Sequence, residues 1–135
     1  MDATTVQQAP SSARALVLFA HGARAASWAA PFERLRDMTQ ARMPEVAVSL
    51  AFLELMTPRL PDLVAQLCAA GIADITVVPV FLGQGGHVLR DLPLMVDQLR
   101  IDLPQLRINV AEAVGENAAV LAAITDYCVA SLPTR

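Results

Sequence analysis

The sequence contains no lysine, because all ten of its basic residues are arginine. This absence excludes the chemistries that need a lysine side chain: Schiff-base catalysis, attachment of pyridoxal phosphate and the P-loop phosphate site. Cysteine is scarce, and Cys68 and Cys128 lie in separate apolar segments with no CxxC pair. The two cysteines therefore predict buried thiols rather than a thiolate zinc site or an iron–sulfur cluster.

Basic stretches and long hydrophobic runs are also missing. The net charge is −3 and the arginines form no cluster along the chain, which argues against nucleic acid as a partner. The apolar runs are far shorter than the ~20 residues that span a bilayer. The run LVLFA at 16–20 is too short for a signal-peptide core and lacks a cleavage pattern. We therefore expect a cytoplasmic protein that does not associate with a membrane.

What is present is an apolar chain of one-domain size, with 135 residues of which 55% are hydrophobic. After a flexible N-terminal tail at residues 1–14, short continuous apolar runs alternate with helical periodicity over a single domain at 15–135. Continuous apolar strands are typical of a parallel sheet covered on both faces. We predict a three-layer α/β/α sandwich with a four-stranded parallel sheet in the flavodoxin-like order 2-1-3-4. The predicted strands are 15–20, 46–53, 75–82 and 106–114, and the predicted helices are 28–43, 58–70, one after the loop 83–87, and 117–131.

Prolines and glycines refine these boundaries. Pro58 is expected to open the second helix and Gly71 to follow its end. Pro79 lies within the third predicted strand, where it removes a ladder donor, so a local irregularity or a strand end is expected there. Pro93 is expected near the start of the third helix, with Leu94, Val96 and Leu99 turned inward.

Candidate functional residues follow the ends of three predicted strands. His21 comes after the first strand, Glu54 after the second and His87 after the third. Ligands of open parallel sheets bind beyond the carboxyl ends of the strands, and neighbouring strands lie roughly 4.8 Å apart. The predicted strand order therefore brings two imidazoles and a carboxylate together, as a divalent-metal site or an acid–base cluster.

Each of these residues also has a structural interpretation. A histidine after a strand can be a hydrogen-bonded loop residue, and Glu54 can be a carboxylate at a helix N-terminus. Glycines in the loop after the third strand can form a tight turn, or they can let a flat ligand approach the backbone. Arginines on the same edge can be surface charges or can bind an anionic substrate. The glycines are Gly83, Gly85 and Gly86, and the arginines are Arg24, Arg59 and Arg90.

The segments LVLFAHGAR, FLELMTPRLPDLV and ITVVPVFLGQGGHVLRDLP together resemble a known family. Residues 15–130 are similar to the short CbiX-type sirohydrochlorin cobaltochelatases and ferrochelatases, which are class II chelatases. The pairing of His-Gly after strand 1 with PxFLxxGxHVxxDxP at strand 3 carries the resemblance. It implies ATP-independent insertion of Co²⁺ or Fe²⁺ into sirohydrochlorin, in cobalamin or sirohaem biosynthesis, by a homodimer that resembles half of a two-lobed chelatase.

The resemblance also implies residue roles. His21 and His87 would be the metal-binding and catalytic pair, with Glu54 as the acidic residue that accepts protons or orients an imidazole. Arg24, Arg59, Arg90, Gly85 and Gly86 would bind the substrate. Divalent Co²⁺, Fe²⁺ or Ni²⁺ would be a substrate, and no tightly bound cofactor is expected. Ala23 and Ala25 depart from the family pattern, which often has serine and an acidic residue there.

Two other functions compete with the chelatase interpretation. A metal-binding or metal-delivery protein for cobalt or nickel needs the same histidines but no wide cleft. A regulatory flavodoxin-like domain would need an acidic cluster after strand 1, where His21 stands. The loop GQGGH is not GxGxxG, no GxSxG elbow is present, and Ala20 stands where histidine phosphatases have arginine.

Overall fold

The computed structural model describes residues 13–135, apart from the side chains of His87 and Leu89. Residues 1–12, most of the predicted tail, therefore lie outside the described residues. Strands and helices alternate along the chain, as the sequence predicts. They are β1 (Arg14–Ala20), α1 (Ala30–Arg42), β2 (Ala47–Phe52), α2 (Leu60–Ala69), β3 (Asp74–Pro79), α3 (Gly86–Asp102), β4 (Arg107–Val110) and α4 (Ala118–Ala130), with short 3₁₀ turns at Ala26–Ala29 and Val114–Glu116.

The four strands form one parallel sheet in the order β2-β1-β3-β4, which confirms the predicted topology. β1 is central and pairs with both β2 and β3, so that Leu18 lies between Leu50 and Val78. Because all strands run the same way, the segments that follow β1, β2 and β3 emerge at one edge of the sheet, its carboxyl edge. None of the helices within residues 13–135 is long and apolar enough to cross a membrane.

One face of the sheet carries the main hydrophobic core. α2 and α3 cover this face, which we call the closed face, and their side chains pack against alternate residues of β1, β3 and β4. Among the described residues, the largest side chains that are almost fully buried all belong to this core: Phe19, Leu60, Ile75, Val17, Val64, Val77, Val88 and Val96. The closed face therefore holds most of the apolar burial that stabilises the fold.

The opposite face, which we call the open face, is only partly covered. α1 packs mainly on β2 and to a smaller extent on β1. Leu18 and Val48 are buried there, whereas Leu16, Val78 and Val80 remain partly exposed. Parallel sheets are normally covered on both faces, but among residues 13–135 no helix packs substantially on the open face over β3 and β4.

Pro79 and Gly71 fall at the predicted boundaries, whereas Pro58 does not. β3 ends at Pro79, as expected from its missing N–H. Gly71 has φ +98° just after α2, the left-handed conformation expected of a residue that ends a helix. Pro58 does not open α2. It lies in the preceding loop in a cis Thr57–Pro58 peptide, and Pro61 occupies the first turn of the helix instead.

The third helix begins earlier than predicted. α3 starts at Gly86, so His87 stands in its first turn rather than in the loop, and Pro93 lies inside the helix rather than near its start. Val96 and Leu99 are buried as expected, but Leu94 is 63% exposed. Leu92, Val96 and Leu99 follow the i, i+4, i+7 spacing of one helix face. Leu94 lies two positions after Leu92 and therefore points to the opposite side of the helix.

Two further expectations are corrected. β4 ends at Val110, four residues before its predicted end, and the chain continues into the short turn Val114–Glu116. Cys68 is partly buried as a thiol beside the core, but Cys128 is exposed. The burial expected of Cys128 fails because α4, which carries it, has no buried residue in this structure.

Core and surface leucines in helices should respond very differently to truncation. Leu60 is fully buried between α2 and the sheet, so Leu60→Ala should lower the free energy of unfolding by about 2–5 kcal/mol. Leu94→Ala is the matched control and should change it by less than about 0.5 kcal/mol. Urea denaturation followed by circular dichroism measures both. Equal destabilisation by the two changes would contradict the orientation of α3.

Candidate active site

The loops after β1 and β2 stay hydrogen-bonded beyond the ends of the two strands. The Leu53 N–H donates to the Ala20 carbonyl at 2.9 Å, and the Glu54 N–H donates to the His21 carbonyl at 3.1 Å. The parallel pairing of β1 with β2 is thereby extended to the predicted site residues. The structure thus brings the backbones of His21 and Glu54 together, as the strand order predicts.

Gly22 makes this close approach possible. Its φ is +94°, which favours glycine, and a Cβ at this position would overlap with the carbonyl group of Glu54. The His-Gly pair therefore has a structural reason besides chemistry: a side chain at position 22 would push the two loops apart.

The ring of His21 rests against Phe81, which follows β3. The ring centroids are 4.6 Å apart, and Phe81 is itself buried and in edge-on contact with Phe19 at 5.8 Å. The Val80 N–H donates to the Phe19 carbonyl at 2.8 Å, which extends the β1–β3 pairing beyond β3. The half-buried imidazole of His21 is therefore fixed between the ends of β2 and β3, with its ring packed on a rigid aromatic wall.

Phe81 has no predicted role from the sequence, although a signal for it exists. Phe19 pairs with Pro79 across β1 and β3. Two residues further along each strand the same register places His21 beside Phe81, because side chains repeat on one face every second residue. The register of β1 and β3 is therefore sufficient to predict this contact.

His87 stands in the first turn of α3, at the carboxyl edge and after the strand next to β1. Its side chain lies outside the described part of the structure. The convergence of the two imidazoles therefore stays a prediction. Among the described residues, no group of three or more histidine, cysteine, aspartate or glutamate side chains could hold a metal ion.

The glycines before His87 are not explained by turn geometry. Gly83, Gly85 and Gly86 have no positive φ, and Gly85 caps α3 at φ −74°. A Cβ at any of the three would meet no atom of the described residues within 4 Å. A tight turn therefore does not explain why these three positions are glycine. The space above their backbone is open, and it suits a ligand that lies close to the backbone.

Gly115 supports the loop that leads to these glycines. Its N–H donates to the Phe81 carbonyl at 2.9 Å, and a Cβ on Gly115 would overlap with the backbone of Leu82. The turn after β4 is therefore pressed against the segment between Phe81 and α3. Gly22 and Gly115 thus each allow a close backbone contact, Gly22 with Glu54 in the loop after β2 and Gly115 with Leu82 in the segment before α3.

The charged candidates surround the same edge and are exposed. Glu54, Arg24, Arg59 and Arg90 all have exposed side chains, and the Arg90 Nε lies 3.6 Å from the Asp91 Oδ1. Arg24 lines an open cavity of about 370 Å³ together with residues of the β2–α2 loop. The structure places the arginines around the edge rather than in one cluster.

Large apolar side chains are exposed at this edge as well. Leu55 is 56% exposed and Leu82 is 62% exposed, on the loops that follow β2 and β3. Leu55 also has φ +68°, a strained conformation for a branched residue. Strained backbone and exposed leucines beside a histidine are features of a ligand site, and the sequence pattern indicated neither of them.

The fold and the carboxyl edge together define a class of protein. It is a three-layer parallel α/β domain with one histidine packed on an aromatic ring, a second histidine at the start of a helix, and exposed arginines near the same edge. Comparison with known proteins makes the class specific. The CbiX family model matches residues 15–129, and the chain belongs to this family.

Individual relatives agree with this assignment. The sirohydrochlorin cobaltochelatase of Methanopyrus kandleri is 33% identical over 82 residues, which cover 61% of this chain and 57% of the relative. The aligned segment thus spans a little over half of that relative's length. A putative cobalamin biosynthesis CbiX protein from Marinobacter aquaeolei is 32% identical with a TM-score of 0.77, over 87% of this chain and 95% of that one. The sirohydrochlorin chelatase SirB from Bacillus subtilis subspecies spizizenii, in complex with cobalt, is 21% identical with a TM-score of 0.74, over 88% of this chain and 51% of that one.

Adding one methyl group at Gly22 should damage the site more than adding one in the glycine loop. Gly22→Ala should destabilise the protein by about 1–3 kcal/mol, because position 22 has positive φ and contacts the Glu54 carbonyl. Gly83→Ala is the matched control, since a Cβ there meets nothing within 4 Å. Thermal unfolding of both variants is the measurement. A Gly22→Ala protein as stable as Gly83→Ala would show that the two loops do not approach as described.

Proposed function

We propose that this protein is an ATP-independent chelatase that inserts Co²⁺ or Fe²⁺ into sirohydrochlorin. The observation that carries the proposal is the placement of His21, held against Phe81 at the carboxyl edge and joined to the Glu54 backbone. Membership of the CbiX family supports it, as does the name of the Methanopyrus relative. SirB shares the fold and binds cobalt, which supports a divalent metal ion as substrate.

Metal insertion replaces two pyrrole N–H protons by one divalent ion, so the site must present the metal and accept protons. Neutral imidazole does both. In our proposal one of His21 and His87 presents the ion and the other accepts the two pyrrole protons in turn, while the metal exchanges its water and protein ligands for the macrocycle nitrogens. The exposed carboxylate of Glu54 takes the protons on to solvent or orients an imidazole.

The surroundings of His21 suit a flat, anionic macrocycle. The exposed Leu55 and Leu82 provide apolar contact, and Gly85 and Gly86 leave space for the ring to lie close to the backbone. Arg24, Arg59 and Arg90 would pair with substrate carboxylates, for which the guanidinium fork is well shaped. A homodimer and a cytoplasmic location remain predictions from the sequence and from the resemblance.

The histidine pair provides the sharpest test. His21→Ala and His87→Ala should each lose most insertion activity, since each removes a metal ligand or proton acceptor, while Glu54→Gln should cost less. The measurement is the visible-absorbance change when purified protein, sirohydrochlorin and Co²⁺ or Fe²⁺ are mixed without oxygen. Circular dichroism checks the fold. A folded double variant that inserts metal at the wild-type rate would refute the proposed site.

An assay of metal insertion into the macrocycle also distinguishes a chelatase from a metal-delivery protein. A delivery protein would bind Co²⁺ or Ni²⁺ in equilibrium dialysis but would not accelerate the absorbance change above the uncatalysed rate. Wild-type protein that binds metal without such acceleration would favour delivery.

The arginines should act on substrate affinity rather than on chemistry. Arg24→Ala, Arg59→Ala and Arg90→Ala should each raise the apparent KM several-fold with a smaller change in kcat, and should reduce the salt dependence of KM. Arg107→Ala is the matched control, because Arg107 begins β4 and so lies at the opposite edge of the sheet. Unchanged kinetics in all three variants would remove these arginines from the substrate site.

A further inference from the structure

Leu55 has a backbone conformation that its residue type disfavours. Its φ is +68°, in the left-handed region where a Cβ is crowded against the following carbonyl oxygen. Among the described residues, the other positions with positive φ are Gly22 and Gly71, and the sequence has glycine at both. At position 55 the chain keeps a branched side chain where glycine would avoid the crowding.

The path of the β2–α2 loop explains the positive φ but not the leucine. At one end of the segment 53–58, the Glu54 N–H donates to the His21 carbonyl at 3.1 Å. At the other end, the Phe52 N–H donates to the Pro58 carbonyl at 2.9 Å, and the residue after Pro58 forms a parallel bridge with Phe52. The chain therefore turns through a full circle within this segment. A residue with positive φ suits such a tight turn, and glycine or asparagine would supply it more readily than leucine.

The side chain of Leu55 contributes little to the core. It is 56% exposed, and it belongs to none of the hydrophobic clusters formed by the described residues. The next residue, Met56, does pack against the cluster that includes Ala20 and Phe52. Leu55 thus combines a strained backbone with an exposed apolar side chain, and both features lower stability. Residues of this kind are found mainly where binding or catalysis requires them.

The position of Leu55 indicates what its side chain contacts. Leu55 directly follows Glu54, whose N–H is bonded to the His21 carbonyl. Leu55 and Arg24 also line the same open cavity of about 370 Å³. An apolar side chain close to both an imidazole and a guanidinium suits a ligand that has an apolar ring and carboxylates at its periphery.

We propose that Leu55 is a substrate-binding residue, kept in a strained conformation so that an apolar side chain meets the macrocycle beside His21. The inference rests on the proposed function for the identity of the ligand, sirohydrochlorin. It goes further because the strain distinguishes Leu55 from Leu82, the other exposed leucine of this edge, which has no positive φ. The consequence is a trade-off at position 55, where the residue that binds substrate best is not the residue that folds best.

Thermal unfolding tests the strain without any ligand. Leu55→Gly should unfold about 2–5 °C above Leu55→Ala, because alanine keeps the crowded Cβ and glycine does not. The same two changes at Leu82 are the matched control. There Leu82→Gly should unfold below Leu82→Ala, since glycine loses more conformational freedom on folding. A Leu55→Gly protein that unfolds below Leu55→Ala would overturn the proposal.

Substrate binding tests the role of the side chain. Metal-free sirohydrochlorin is titrated into the full chain, and binding is followed by quenching of the fluorescence of Trp28, the single tryptophan. Leu55→Ala and Leu55→Gly should each raise the Kd by about tenfold, because each removes apolar surface that binding buries. Ile101→Ala is the control and should bind like wild type, since Ile101 is 71% exposed near the end of α3, at the opposite edge of the sheet.

Two substitutions of similar length separate apolar contact from side-chain size. Leu55→Met keeps an apolar side chain and should bind sirohydrochlorin within about twofold of wild type. Leu55→Gln places an amide against the macrocycle and should bind as weakly as Leu55→Ala. Both variants keep the Cβ, so their unfolding temperatures should stay close to that of wild type. Equal affinity of the methionine and glutamine variants would overturn the apolar contact.

The outcomes distinguish this inference from the proposed function. If wild type binds sirohydrochlorin and Leu55→Ala binds it equally well, the inference is overturned and the chelatase proposal stands. If wild type does not bind sirohydrochlorin, both are overturned. The expected result is that Leu55→Gly is more stable than Leu55→Ala while both bind about tenfold more weakly than wild type.

Discussion

The pairing of β1 with both of its neighbours is the constraint on which the rest of the structure depends. As the central strand, β1 sets the register of β2 and β3, and backbone hydrogen bonds continue that register past all three strand ends. The same bonds fix His21 between Glu54 and Phe81. The candidate site is therefore an extension of the sheet rather than an independent loop structure, and backbone hydrogen bonds bring together residues that are far apart in sequence.

The glycines at the carboxyl edge fall into two classes that the sequence does not distinguish. Gly22 and Gly115 are required by contacts within the chain, since a side chain at either position would overlap with a neighbouring backbone. Gly83, Gly85 and Gly86 face open space. The first class shapes the site, and the second leaves space for whatever the site binds.

The two faces of the sheet differ in completeness. α2 and α3 close one face around a dense core, while the other is covered by α1 only over β2 and part of β1. The apolar helix α4 has no buried residue. Among residues 13–135, apolar side chains therefore stay accessible both on the open face and along α4.

The sequence by itself determined the strand order and the edge at which His21, Glu54 and His87 emerge, because continuous apolar runs and right-handed crossovers allow few arrangements. It also indicated an irregularity or a strand end at Pro79, which lacks a backbone donor, and the structure decided for the strand end. Only the tertiary structure decided that Phe81 packs on His21, that Gly115 supports the neighbouring loop, and that Leu94 and Cys128 are exposed. The sequence shows which residues are apolar, and its periodicity indicates which of them share one face of a helix. Whether such a residue is buried depends on which elements are close enough to cover it. Among the described residues, no element covers α4 closely enough to bury any of its side chains.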